Sequence, residues 1–237
     1  PERIKNLRDS IRSYIRENDV RALINVHTAD DMLTGAQEMV RAYGFGAVTP
    51  NTIVIGETEK KENFLEYAKL ITFAYQQKRN VVILRKGEIQ VKPDEELRMD
   101  VLWRGKQKNA SLMLALAYLI RLSGKWDKAH LLLKTFINEK SKQNEVQAQL
   151  EQFIKERRLQ AQATVVVDNQ ESDIFQRISN NIHDANLVFV GMRPPSENEP
   201  LESYSDYYAQ LLEKTKHFPA TLMVLASEDI EFHRIFT

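Results

Sequence analysis

The apolar positions of this 237-residue chain switch repeatedly between steps of three or four and unbroken runs of four or five. Ile4, Leu7, Ile11 and Tyr14/Ile15 make a helical stripe, since that spacing lines up on one face of a 3.6-residue turn. Ala22-Leu23-Ile24-Asn25-Val26 then reads as a strand. Asp30 and Asp31 suit the N-cap of a helix running to about Tyr43, because a short carboxylate there accepts an otherwise unpaired amide. Thr52 to Gly56 is a strand, Phe64 to Tyr75 a long helix, and Val81 to Leu84 another strand. The order helix-strand leaves room for a further strand upstream.

Residues 86–97, Lys86-Gly87 through Pro93-Asp94-Glu95-Glu96, are polar and turn-rich and form the linker. The alternation then restarts. Strands are expected at Met99–Trp103, Ala129–Ile137, Thr164–Val167, Leu187–Val190 and Ala220–Leu225. Between them fall a helix from Asn109 to Leu122 that is apolar nearly all round, a charged helix striped by Val146, Leu150, Phe153 and Ile154, and helices around Ile174–Ile182 and Tyr204–Leu212. Unbroken apolar strands separated by helices imply parallel sheets covered on both faces, with right-handed crossovers. The expectation is an α/β chain of two doubly wound lobes with parallel sheets, residues 1–92 and 93–237, sharing one sheet or packed side by side.

Composition narrows the chemistry. Zero cysteines exclude a disulfide scaffold, Cys-ligated zinc and thiol catalysis. Eight glycines are too few for chemistry built on glycine-rich loops. Lys+Arg and Asp+Glu both total 33, so no global field recruits nucleic acid or anionic lipid. The charge is nevertheless blocked: residues 98–160 carry 13 basic against 6 acidic groups, and residues 161–237 carry 5 against 12. Two neighbouring blocks that neutralise each other are the simplest account; the alternative is a basic face turned toward an anionic membrane surface or an acidic partner. The most apolar run, Ala110 to Ile120, is about half the roughly 20 residues of a membrane span.

The loops at the carboxyl ends of the strands are where such sheets bind ligands. His27-Thr28-Ala29-Asp30-Asp31 converges a histidine with carboxylates, yet N-capping explains the same residues. Tyr43-Gly44-Phe45-Gly46 ends a helix and enters a strand, the reverse of a phosphate loop, so Gly44 reads as a helix C-cap. Gly191-Met192-Arg193-Pro194-Pro195 has lost two amide donors to proline, and Glu197 and Glu199 repel phosphate; only Arg193 favours an anion. Asp168-Asn169-Gln170-Glu171 follows a strand and could hold a cation, but a turn before an N-cap at Ser172 or Asp173 is the favoured reading. His27, His130, His183, His217 and His233 share no ligand spacing, and no Gly-x-Ser-x-Gly elbow exists. Arg104, Lys106, Lys108 and Lys155, Arg157, Arg158 lie at helix ends without the interleaved aromatics of a nucleic-acid groove. The residues themselves thus give no catalytic group, cofactor or metal site.

Ala42-Tyr43-Gly44-Phe45-Gly46-Ala47-Val48-Thr49-Pro50-Asn51-Thr52-Ile53-Val54-Ile55-Gly56 resembles a signature of the cation-chloride cotransporters, in which a Tyr-Gly-x-Gly turn and a Pro-Asn-Thr segment lead into a buried strand and glycine. Met99-Asp100-Val101-Leu102-Trp103 is similar to that family's apolar-Asp-Val-Trp-Trp strand, with Leu102 in place of the first tryptophan; Asn109 to Leu114 and Trp126 follow. Tyr207-Tyr208 and Phe218-Pro219-Ala220-Thr221-Leu222-Met223-Val224 resemble its closing helix and strand. The resemblance implies a cytosolic domain of two lobes related to universal stress proteins. It implies a homodimer that regulates an attached transmembrane domain moving sodium or potassium with chloride, on the cytoplasmic side of the cell membrane. The membrane is met only through that domain, and no nucleic acid, enzymatic activity or cofactor is implied. Ion-binding residues belong to the membrane part, so Tyr43, Gly44, Gly46, Pro50, Asn51, Thr52, Gly56, Asp100, Trp103, Trp126 and Pro219 are structural signature positions; the two tryptophans read as core or lobe-interface anchors. The alternative is a free-standing nucleotide-binding protein of the universal stress type.

Overall fold

Strands β1 (Thr52–Gly56), β2 (Asn80–Arg85), β3 (Arg98–Leu102), β4 (His130–Ile137), β5 (Gln162–Val167), β6 (Leu187–Gly191) and β7 (Thr221–Leu225) hydrogen-bond into one sheet in the order β1-β2-β7-β6-β3-β4-β5. The structure, a computed structural model, describes residues 2–42, 50–87, 96–105, 107–156, 159–167 and 173–229. Every neighbouring pair is parallel except β2 and β7, which run antiparallel with Ile83 opposite Met223.

Helices cover both faces. α4 (Gln107–Arg121) and α5 (Gln143–Glu156) close one face over Val82, Met99, Val101, Leu133, Phe189 and Val224. On the other lie α3 (Phe64–Gln76), α6 (Ile174–Ile182) and α7 (Leu201–Lys214), over Val81, Ile83, Val188, Val190, Met223 and Leu225. Burial of both faces is why the central strands read as unbroken apolar runs; β1, expected as a buried strand, lies at the sheet edge with Val54 exposed. Strands β3 to β7 form a doubly wound block: the chain steps outward through α4 and α5, then crosses back through α6 and α7. Its direction reverses between β3 and β6.

Of the two expected arrangements, a shared sheet or sheets side by side, the strands form one continuous sheet, and the expectation of parallel pairing throughout fails at the β2/β7 seam. A strand's own apolar run records burial and says nothing of its neighbour's direction. Behind the seam α3 packs on α7, with Tyr208 stacked on Tyr67 and edge-on to Phe64 at centroid distances of 5.9 and 5.8 Å. The buried Arg85 adds a polar lock: Nε donates to Glu57 at 2.6 Å, Nη1 to Thr215 Oγ1 at 2.9 Å and Nη2 to the Leu212 carbonyl at 3.0 Å, capping the end of α7. Gly87, just past β2, lies so close to the chain entering β7 that a Cβ there would fall 2.2 Å from the Ala220 nitrogen.

A second expectation is corrected at the N-terminus. α1 (Glu2–Glu17) and α2 (Met32–Ala42) form as the spacing predicts, and Asp31 caps α2 by accepting the Thr34 amide at 2.9 Å. The expected strand at 22–26 does not form: this segment is outside any ladder, and Leu23 is 81% exposed. An apolar run becomes a strand only when another backbone takes its amides and carbonyls. Among the described residues none does.

Candidate functional site

Two buried asparagines organise the carboxyl end of β7. Asn109, in the first turn of α4, donates from Nδ2 to the Met192 carbonyl at 2.7 Å and accepts the Ala226 amide on Oδ1 at 2.8 Å. Asn80, at the start of β2, accepts the next amide, Ser227, at 2.9 Å and donates to Thr52 Oγ1 at 3.2 Å. Gly191 leaves room for this clamp, since a Cβ there would sit 2.9 Å from Asn109 Nδ2.

Beside the clamp, where β3 and β6 end at the reversal of strand order, lies a cleft of about 320 Å³. Leu102, Trp103, Met113, Phe175, Met192 and Leu211 make its apolar wall, and Arg104, Arg193 and Tyr207 also line it. Trp103 stacks on Phe153 of α5 at 5.6 Å, while its buried indole N–H has no hydrogen-bond partner among the described residues. Arg104 is exposed and, among the described residues, makes no hydrogen bond or ion pair.

Arg193 is differently placed from what the sequence suggested. Its guanidinium pairs with both Glu199 oxygens and lies over the Tyr207 and Tyr204 rings at 4.5 and 5.2 Å. Its amide donates to Tyr207 Oη at 2.8 Å and its carbonyl accepts from Tyr204 Oη at 3.0 Å. The Arg193 hydrogen bonds hold the Glu199 carboxyl down at about 2, helped by the Ser196 amide. Burial pushes the Tyr207 hydroxyl up, and the Arg193 amide and the charges of Arg193 and Arg104 oppose that rise. The one group of the loop that favours an anion is thus spent on the loop's own carboxylate.

On the α6 face, Asp100 is fully buried in mid-strand. Arg98 donates to it from Nε at 2.9 Å and Nη2 at 3.1 Å, and Lys134 Nζ lies 2.8 Å away. Arg98 also pairs with Asp184, and Lys134 donates to the Asn181 carbonyl at 2.8 Å, so the chain of charges ties β3 and β4 to the end of α6. Arg98–Asp184 joins the basic middle of the chain to its acidic last third, as charge neutralisation predicts.

The signature positions do not converge on one site. Tyr43, Gly44 and Gly46 lie outside the described residues. Pro50 is exposed beside Asn51, whose carbonyl accepts the Asn80 amide at 2.7 Å; with Thr52 this ties the segment to β2. The Gly56 carbonyl accepts Tyr67 Oη at 3.0 Å. Trp103 lines the cleft, Trp126 packs on the core beneath α4, and the Pro219 carbonyl accepts Thr221 Oγ1 at 2.6 Å. The linking residues Asn80, Arg85 and Lys134 carry no local sequence signal, because their partners are distant in the chain. Among the described residues no cluster of His, Asp and Glu could hold a metal, and no helix is long and apolar enough to cross a membrane.

The doubly wound block with its cleft at the strand-order reversal places the chain among α/β folds of a known kind. The crystal structure of a putative universal stress protein from Pseudomonas aeruginosa UCBPP-PA14 superposes with a TM-score of 0.53 at 13% identity, over 94% of this chain and 78% of that one. The crystal structure of the cytoplasmic domain of a prokaryotic cation chloride cotransporter does so with a TM-score of 0.58 at 17% identity, over 86% of this chain and 72% of that one. No curated protein matches. The model of SLC12, solute carrier family 12, matches residues 2–92.

Proposed function

We propose that the chain is the cytoplasmic domain of an electroneutral cation-chloride cotransporter, a regulatory and dimerisation module without catalysis of its own. The match of residues 2–92 to solute carrier family 12 carries this reading, and that segment holds the Pro50-Asn51-Thr52 approach to β1. The fold shared with a prokaryotic cotransporter's cytoplasmic domain supports it. On this reading the chain lies at the cytoplasmic side of the cell membrane, its partners are its own transport domain and a second copy, and it meets the membrane only through that domain. Residues 1–92 and 93–237 act as its two lobes; the family match ends at residue 92, and the antiparallel seam falls between strands of the two parts.

Two measurements test the reading. The native gene should encode, in the same polypeptide, a series of apolar stretches of roughly 20 residues each; a gene without them overturns it. Light scattering of the purified chain should report twice the 27.5 kDa of one copy at high micromolar concentration. A species of 27.5 kDa at every concentration removes the dimer. If the blocked charges hold the dimer, added salt weakens it.

A further inference from the structure

The cleft between the carboxyl ends of β3 and β6 has no task in the transport reading. We propose that it binds a small planar aromatic carboxylate. Its volume of about 320 Å³ is at the small end of ligand sites, and it lies where doubly wound sheets accept ligands. The walls select the ligand body. Trp103, Phe175, Met113 and Met192 offer aromatic and thioether surfaces, to which a flat ring binds by offset stacking and sulfur contacts.

The polar rim selects the charge. Among the described residues Arg104 is the cleft's one cation without an ion pair, and its charge acts on the Tyr207 hydroxyl, which also lines the cleft. A single carboxylate matches it. A phosphate ester does not, because the other groups able to hold one are occupied. The Ala226 and Ser227 amides are clamped by Asn109 and Asn80, Arg193 is paired with Glu199, and Pro194 and Pro195 have no amide to give.

The test uses the whole 237-residue chain, labelled with nitrogen-15, and the probes indole-3-acetate, indole and AMP. Two tryptophans give two indole N–H signals, and Trp126→Phe assigns the one from Trp103. Titration with indole-3-acetate should move the Trp103 signal saturably and leave that of Trp126 in place. Arg104→Ala, a change at an exposed position, should weaken the acid by about two- to fivefold, as for a partly exposed ion pair, and leave indole unaffected. The proposal is overturned if the Trp103 signal stays fixed at millimolar acid, if both signals move together, if Arg104→Ala binds the acid as well as wild type, or if AMP binds more tightly than the acid.

Discussion

Asn80 and Asn109 hold two consecutive amides of one loop, Ser227 and Ala226, from opposite sides of the β2/β7 seam. Asn80 begins a strand of the N-terminal part and Asn109 begins a helix of the C-terminal part. The loop after β7 is therefore the point at which one hydrogen-bond chain joins both parts, through Thr52 on one side and Met192 on the other.

Removing Asn109 strands the Met192 carbonyl and the Ala226 amide in the core. Asn109→Ala should cost on the order of 2–4 kcal/mol, one desolvation penalty for each orphaned group. Asn80→Ala should cost less, because Ser227 is only half-buried. The double variant should lose less than the sum of the two, since both act on one short loop. Urea unfolding of the four proteins measures all three quantities; strict additivity would contradict a shared clamp.

The Asp100 cluster makes a different prediction. Asp100→Asn leaves the buried Lys134 ammonium without its counter-charge, which should cost about 3–5 kcal/mol. Asp100→Leu combined with Lys134→Met removes both charges and should recover much of that loss, while Arg98 keeps Asp184. Thermal unfolding decides between the readings: a double variant less stable than Asp100→Asn would mean that the network contributes through geometry and not charge balance.

The Arg193–Glu199 pair should give the loop at 193–200 an acid-sensitive hold. The folded pKa of Glu199, about 2, lies below its ordinary value of 4.5. A depressed carboxylate stabilises the fold fully above the unfolded value, and the contribution is lost as pH falls through the folded one. The gap in urea midpoint between wild type and Glu199→Gln should therefore be constant above about pH 5 and shrink toward pH 2. A gap independent of pH across that window would assign the Glu199 contribution to packing.

Much of the doubly wound block is legible in the sequence, because its strands are buried on both faces and its helices carry their own stripe and caps. Asp31 and Asp173 show this for capping: each accepts an amide two or three residues on, a purely local relation. What depends on a distant partner is not legible. Residues 22–26 have the composition of a strand and no ladder to join. The reversed direction of β2 against β7 leaves no trace in either run. Arg193 is the one group of its loop whose charge favours an anion, and its pairing with Glu199, six residues away, follows no periodic rule that the sequence shows. The cleft is likewise assembled from β3, α4, α6, β6 and α7, so no local run of sequence marks it as one site.

The last prediction concerns nucleotides, which the universal-stress-like fold invites. Phosphate oxygens need several free backbone amides or cations converging on one point. At the carboxyl end of β6 the loop offers Arg193, already paired with Glu199, then two prolines. At the end of β7 the Ala226 and Ser227 amides are taken by side chains, and Glu228 and Asp229 follow with negative charge. Glu228 pairs with Lys78 at 3.3 Å, so that cation is occupied as well. Calorimetry with Mg-ATP should accordingly give no binding isotherm in the low micromolar range. Glu199→Gln frees the Arg193 guanidinium and should raise affinity for inorganic phosphate or ATP by a small factor, about fivefold or less for one partly exposed cation. A one-to-one isotherm with wild type in the micromolar range, abolished by Arg193→Ala, would show that Arg193 leaves Glu199 for the ligand and would restore the nucleotide-binding reading of this fold.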